Sequence, residues 1–187
     1  MIANSPESWS VRSQERLSHE AAMWSSQGQQ ARFDAVLSAL KPQPHETILD
    51  FGCGTGLLSK SVPSGVGYLG YDWSEGMVAR ARNDHPGRVF TTNLIVCSHD
   101  LVACVGTFNL HDSWSKQQTW DKLGFLWNHC GRALAVCLYA GDDPDCIEYL
   151  DSECIAFAKS TGADWLLNRH LPNDLLLVLE RPPVAAK

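Results

Sequence analysis

Apolar positions along the chain change period several times, and each change marks an element. Phe33, Val36, Leu37 and Leu40 follow the i, i+3, i+4, i+7 spacing of a helix with one buried face. Residues 1 to about 42 read as helical, with Ser5-Pro6 as a cap-then-proline start and Lys41-Pro42-Gln43-Pro44 as the stop. Beyond them, short apolar runs alternate with helical patterns. Residues 47–51, 68–72, 89–91, 100–108 and 132–140 read as strands. The glycines after Phe51 predict a turn into a helix, and Ser74 caps a helix carrying Met77, Val78 and Ala81. Trp120, Leu123, Trp127 and Cys130 mark one face of the next helix. Asp143-Pro144 predicts a further helix start, with Ile147, Leu150, Cys154 and Phe157 on its core face and Gly162 as its end. Residues 164–170 and 174–180, joined by Leu171-Pro172-Asn173, form an antiparallel hairpin in this reading. Repeated strand–helix units predict an α/β fold: a mostly parallel sheet with helices on both faces and the hairpin at one side.

Length and charge narrow the classes. The 187 residues, 44% of them apolar, fit one domain spanning 1–187 with a sizeable core. A net charge of -6 argues against a broad basic face for duplex DNA. The seven cysteines include no Cys-x-x-Cys, and Cys104 and Cys137 lie in apolar runs, so they read as core residues rather than disulfides. No run has signal-peptide or membrane-spanning character, which predicts a reducing, cytoplasmic setting without membrane contact. The spacing of Cys97, His99, Cys104 and His111 fits no zinc pattern, so no metal is expected.

The chemistry concentrates at Ile48-Leu49-Asp50-Phe51-Gly52-Cys53-Gly54-Thr55-Gly56. Alternate glycines after a buried strand allow a tight turn and close approach of a ligand to the backbone. Asp72 follows the last glycine by 16 residues, at the end of the next strand, where a carboxylate can accept both hydroxyls of a ribose; the competing role is a turn or cap beside Ser74. A dinucleotide site puts pyrophosphate on the helix N-terminus and shows Gly-x-Gly-x-x-Gly. This chain has Gly-x-Gly-x-Gly with Asp50 before it, a charge that repels pyrophosphate and suits a sulfonium and an ammonium.

LDFGCGTG, GYDWSEGMVARAR and HDLVACVGTFNLH together resemble the class I S-adenosylmethionine-dependent methyltransferase family, over about residues 30–181. The lead-in Gln30-Ala31-Arg32-Phe33 is similar to that of small stand-alone members. The resemblance implies a Rossmann-like seven-stranded sheet whose seventh strand lies antiparallel between the fifth and sixth. It implies S-adenosylmethionine as cofactor and S-adenosylhomocysteine as product. Carried over by position, Asp50, Gly52, Gly54 and Gly56 line the methionine part, with Arg32 toward its carboxylate. Asp72 holds the ribose, Trp73 packs on the adenine, and Met77 completes that pocket or serves the core. Asn93-Leu94 stands where many relatives have Asp, with Asn93 accepting from the adenine amino group. Gly106 and Thr107 sit beneath the transferable methyl.

Methyl transfer is an in-line displacement in which the protein supplies alignment and excludes water. His111, just past the fourth strand, is the candidate general base, against a solvated loop histidine; Asn109, Trp114 and His170 are candidates for the acceptor pocket. No Asp-Pro-Pro-Tyr or Asn-Pro-Pro-Tyr follows the fourth strand, no Pro-Cys nucleophile occurs, and no target-recognition domain fits. A small-molecule acceptor therefore comes first, then a nucleic acid or protein methylated together with a partner, then a non-catalytic cofactor-binding module. Residues 1–30, with Trp9, Leu17, Met23 and Trp24, are expected to form a lid over the crevice or a helix packed away from it.

Overall fold

The computed structural model describes residues 5–14, 25–94 and 98–182. Leu17, Met23 and Trp24 of the expected lid, and Cys97, lie outside the described residues. Seven strands form one sheet: β1 (Thr47–Phe51), β2 (Gly67–Tyr71), β3 (Val89–Thr91), β4 (His99–Val105), β5 (Cys130–Tyr139), β6 (Asp164–Leu171) and β7 (Asp174–Glu180). Their order is β3-β2-β1-β4-β5-β7-β6. The pairings from β3 to β5 are parallel, and β7 runs antiparallel to both β5 and β6.

Alternation along the central strands divides the core in two. Leu49 and Phe51 of β1, Leu134, Val136 and Leu138 of β5, and Leu175, Leu177 and Leu179 of β7 share one cluster. Their intervening neighbours, Ile48, Ala133, Ala135, Cys137, Leu176 and Val178, share the other. The first face is covered by α4 (Lys116–Asn128), through Leu123, Leu126 and Trp127, and by α5 (Asp151–Thr161), through Cys154 and Ala158. The second is covered by α2 (Ser26–Leu40), through Phe33, Val36 and Leu40, and by α3 (Glu75–Asp84), through Val78 and Ala81. A sheet covered on both faces needs apolar runs rather than polar–apolar alternation, as β5 and β7 show. The described cysteines are free thiols, and Cys104, Cys130, Cys137 and Cys154 are buried. No helix among the described residues is long and apolar enough to cross a membrane.

The N-terminal region contains α1 (Pro6–Arg12), capped by Ser5, and α2, capped by Ser25. Lys41 ends α2 in the left-handed region (φ 46°), just before Pro42. Two expected helices differ. The glycine turn after β1 leads only into a four-residue 3-10 turn, Leu57–Lys60, because Pro63 and Gly65 follow too closely for a longer helix. Asp143-Pro144 makes one turn and no helix. Asp143 Oδ1 accepts from the Asp145 N–H at 2.9 Å, after which the chain is drawn out by an antiparallel bridge between Leu110 and Cys146 and by Ile147 N–H to Asn109 O at 2.8 Å. α5 therefore begins at Asp151, Leu150 is exposed, and Gly162 ends the helix at φ 68°. Cys130 opens β5 instead of continuing the face of α4.

Leu134 has no exposed surface and lies mid-sheet, so Leu134→Ala is expected to cost about 2–5 kcal/mol in urea denaturation. Leu166→Ala, on the exposed edge strand β6, should stay within about 0.5 kcal/mol in the same assay.

Candidate active site

Strand order reverses between β1 and β4, and the crevice outside the carboxyl ends of the strands at such a point is where an open α/β sheet binds ligands. A cavity of about 570 Å³ occupies it. One half is lined by Gly52, Gly54, Asp72, Trp73 and Met77, at the ends of β1 and β2. The other is lined by Thr107, Asn109 and Tyr139, past β4 and β5, with Asp143 and Asp145 beyond them.

The glycine loop is held from β2. The N–H groups of Gly52 and Cys53 both donate to Tyr71 O, at 2.7 and 2.9 Å. Gly52 has φ 80°, and a Cβ there would collide with Thr107, whose hydroxyl donates to Phe51 O at 2.7 Å. Gly54 is different: at φ 54° a Cβ would meet nothing within 4 Å, because the position opens on the cavity. Gly56 faces away from the cavity, and a Cβ on it would enter the Phe90 ring. His85, which sequence reasoning missed, braces this loop from below, its buried Nε2 lying 3.1 Å from Thr55 O.

Two buried carboxylates lie at the loop, both on the cavity wall. The Asp50 carboxylate accepts from the Tyr68 hydroxyl at 2.6 Å. Burial pushes its pKa up to about 7, against the hydrogen bond from Tyr68, and the charge of Asp72 adds to the rise. Asp72 accepts from Gly54 N–H through one oxygen and from Ser74 N–H through the other, both at 2.9 Å. Burial raises its pKa too, opposed by those backbone donors. Asp72 is thus both the turn-capping residue and a wall of the cavity. No ion pair of the described residues reaches either carboxylate. The open face at Gly54 leaves room beside them in the cavity.

Trp73 stands nearly parallel to Trp114, with ring centroids 6.4 Å apart. Both line the cavity, as does Met77, which is also fully packed in the core. Arg32 lines it while ion-paired with Asp174 at 2.6 Å. Gly106 and Thr107 lie on its wall, and Asn109 is fixed there because its Oδ1 accepts from Tyr139 N–H at 3.1 Å. Four expected site residues are not on the wall: Gly56, Asn93, Leu94 and His111. Asn93 is exposed in a turn closed by the Thr91 hydroxyl, and Leu94 packs on the core. His111 is exposed, its N–H bonded to Asp145 O at 3.2 Å, so the bridge that straightens the following loop also turns this histidine outward. His170 lies off the wall near Cys137, with Nε2 3.9 Å from Sγ. No cluster of three or more metal-ligating side chains is present among the described residues.

Gln29, Lys122 and Tyr139 line the cavity without having been singled out in the sequence, and Trp9, named there only as part of the N-terminal segment, lines it too. Two carried a signal. Gln29 shares a helix face with Arg32 and Phe33, and Tyr139 ends the strand beside β4. Trp9 reaches the site because α1 docks on α3: Gly76 N–H donates to the Ser10 hydroxyl at 3.2 Å, and Arg80 donates to Ser13 O at 2.8 Å. A Cβ on Gly76 would strike Ser10.

No protein-family model matches the sequence, and no curated protein sequence matches it. Solved structures do match. A magnesium protoporphyrin IX methyltransferase from Synechocystis PCC 6803, with bound S-adenosylmethionine, is 17% identical with a TM-score of 0.70, over 97% of this chain and 93% of that one. A TehB-like S-adenosylmethionine-dependent methyltransferase from Corynebacterium glutamicum is 18% identical with a TM-score of 0.66, over 95% of this chain and 100% of that one. A structure of the Haloferax volcanii Trm112 methyltransferase activator with its methyltransferase is 14% identical with a TM-score of 0.69, over 100% of both chains. The chain has the Rossmann-like fold of the class I S-adenosylmethionine-dependent methyltransferases.

Proposed function

We propose that the chain is an S-adenosylmethionine-dependent methyltransferase acting on a small molecule. The observation that carries this is the pair of buried carboxylates, Asp50 and Asp72, lacking a cation and set around a glycine that opens on the cavity. The cofactor supplies a methyl group on a positively charged sulfur. Asp50 and the Gly52–Gly54 backbone face its methionine part, and Asp72 has lone pairs left for the ribose hydroxyls. Trp73 packs on the adenine, and Met77 closes that pocket. Thr107 and Gly106 form the floor under the methyl.

A cleft rimmed by Asp143 and Asp145 favours a small acceptor over a phosphate backbone. Residues 1–187 then make one methyltransferase domain. Of its N-terminal segment, α1 stands at the crevice, with Trp9 on the cavity wall. The free, buried thiols suit a cytoplasmic setting.

Thermal shift tests the cofactor class. S-adenosylmethionine and S-adenosylhomocysteine should raise the midpoint and NAD should not. Labelled-methyl transfer into size-fractionated cell extract should then mark a small product. Stabilisation by NAD alone would end this reading.

The affinity for S-adenosylmethionine should depend on pH through Asp50. With the folded pKa raised to about 7, the apo protein keeps a proton that the unfolded chain releases near 3.8, so this group's stabilisation falls as pH rises toward 7. A bound cation favours the charged carboxylate instead. Calorimetry should show affinity rising by up to about tenfold per pH unit below 7 and levelling above it. Asp50→Asn should flatten the profile.

Gly54→Ala places a methyl group in the cavity without striking protein. It should weaken cofactor binding by about tenfold or more, while left-handed strain costs only about 1 kcal/mol of stability. Unchanged affinity in a folded variant would show that the glycine serves the turn alone.

A further inference from the structure

The half of the cavity beyond β4 and β5 has its own chemistry. Gln29 is 7% exposed and lines it, yet its carboxamide makes no hydrogen bond among the described residues. Arg32, one turn along α2, is ion-paired with the buried Asp174, the cross-strand neighbour of Tyr139. The Tyr139 hydroxyl accepts from Asp143 N–H at 3.1 Å. These contacts tie Gln29's helix face, Tyr139 and the Asp143 turn into one wall. Asp143 and Asp145 bring two carboxylates to it, and no ion pair among the described residues takes up their charge. Lys122, the lysine on the cavity wall, points its ammonium over the rings of Phe51 and Phe125, at 6.0 and 5.2 Å.

We propose that this wall takes the methyl acceptor as a small organic amine. Its ammonium is held by Asp143 and Asp145, and Gln29 meets a second polar group of the same molecule. The inference rests on the methyltransferase reading and names its substrate class. The Gln29 carboxamide, with no protein partner among the described residues, is free to bond a polar group in the cavity. Two rim carboxylates attract a cation and repel an acid, which gives selection by charge. Transfer requires the neutral amine, so the ammonium first gives one proton to water at the exposed rim. The nitrogen lone pair then forms the bond to the methyl carbon, the carbon–sulfur pair passes to sulfur, and the product is a methylated ammonium beside the neutral thioether.

The test is calorimetry in two stages. S-adenosylhomocysteine is titrated first; if it does not bind, the methyltransferase reading fails. The protein saturated with it is then titrated with tyramine and with 4-hydroxyphenylacetate, which share a phenol and differ in charge. Tyramine should bind at least about tenfold more tightly, and more weakly at high salt. Asp143→Asn combined with Asp145→Asn should abolish that preference and leave S-adenosylhomocysteine affinity unchanged. The Asn side chain at 143 keeps the acceptor for Asp145 N–H, so the loop is retained. Gln29→Leu should weaken tyramine and not S-adenosylhomocysteine. The amine assignment is overturned if neither probe binds at millimolar concentration, if the carboxylate binds as well as the amine, or if the double variant keeps the preference. It is also overturned if tyramine displaces S-adenosylhomocysteine, or if Gln29→Leu weakens S-adenosylhomocysteine instead.

Discussion

A carboxylate on a strand buried on both faces is the constraint around which this site is built. Asp50 lies between Ile48 and Leu49 on one side and Phe51 on the other, in the middle of the sheet. Its neighbours in register are Gly70 on β2 and Ala103 on β4, two small residues that leave it space. Tyr68, two residues before Gly70, supplies the one hydroxyl that reaches it. Gly70 is crowded in turn, since a Cβ there would enter Phe90 and approach Cys53. The glycine loop above inherits this arrangement: Asp72 binds Gly54 N–H from the adjacent strand end, so the carboxyl ends of β1 and β2 are clamped together over the charge.

This explains what the sequence makes legible. Strands buried on both faces print as apolar runs, so β5 and β7 are plain, and their alternation assigns each residue to one of two cores. The loop after β1 is legible because a positive φ and a close approach both demand glycine. Asp72 is legible through its distance from that loop. These are local requirements, and local requirements leave residue types behind.

The parts that were not legible depend on contacts distant in sequence. Asp143-Pro144 satisfies every local rule for a helix start, yet the Leu110–Cys146 bridge and the pairing of Ile147 with Asn109 hold the segment extended. Nothing within the segment announces Leu110. The same bridge turns His111 toward solvent and puts Asp143 and Asp145 at the cavity mouth, so one long-range pairing both removed an expected site residue and supplied two others. Gln29 and Trp9 reach the wall through helix docking, and the Ser10–Gly76 contact behind Trp9 joins residues 66 positions apart.

The two halves of the cavity set opposite electrostatic problems. In the half over β1 and β2, the acids are deep, and burial makes each of them easier to protonate. In the half beyond β5, the acids are exposed at the rim. A ligand that fills both halves must therefore carry its permanent charge into the deep end, because only a charge that cannot be lost offsets buried carboxylates whose protonation is an alternative. A sulfonium has no proton to give up. An amine does, and it belongs at the wet rim, where a proton can leave before the nitrogen reacts. In the proposed reading, the depth of the carboxylates orders the two partners along the cavity, with the cofactor below and the acceptor above.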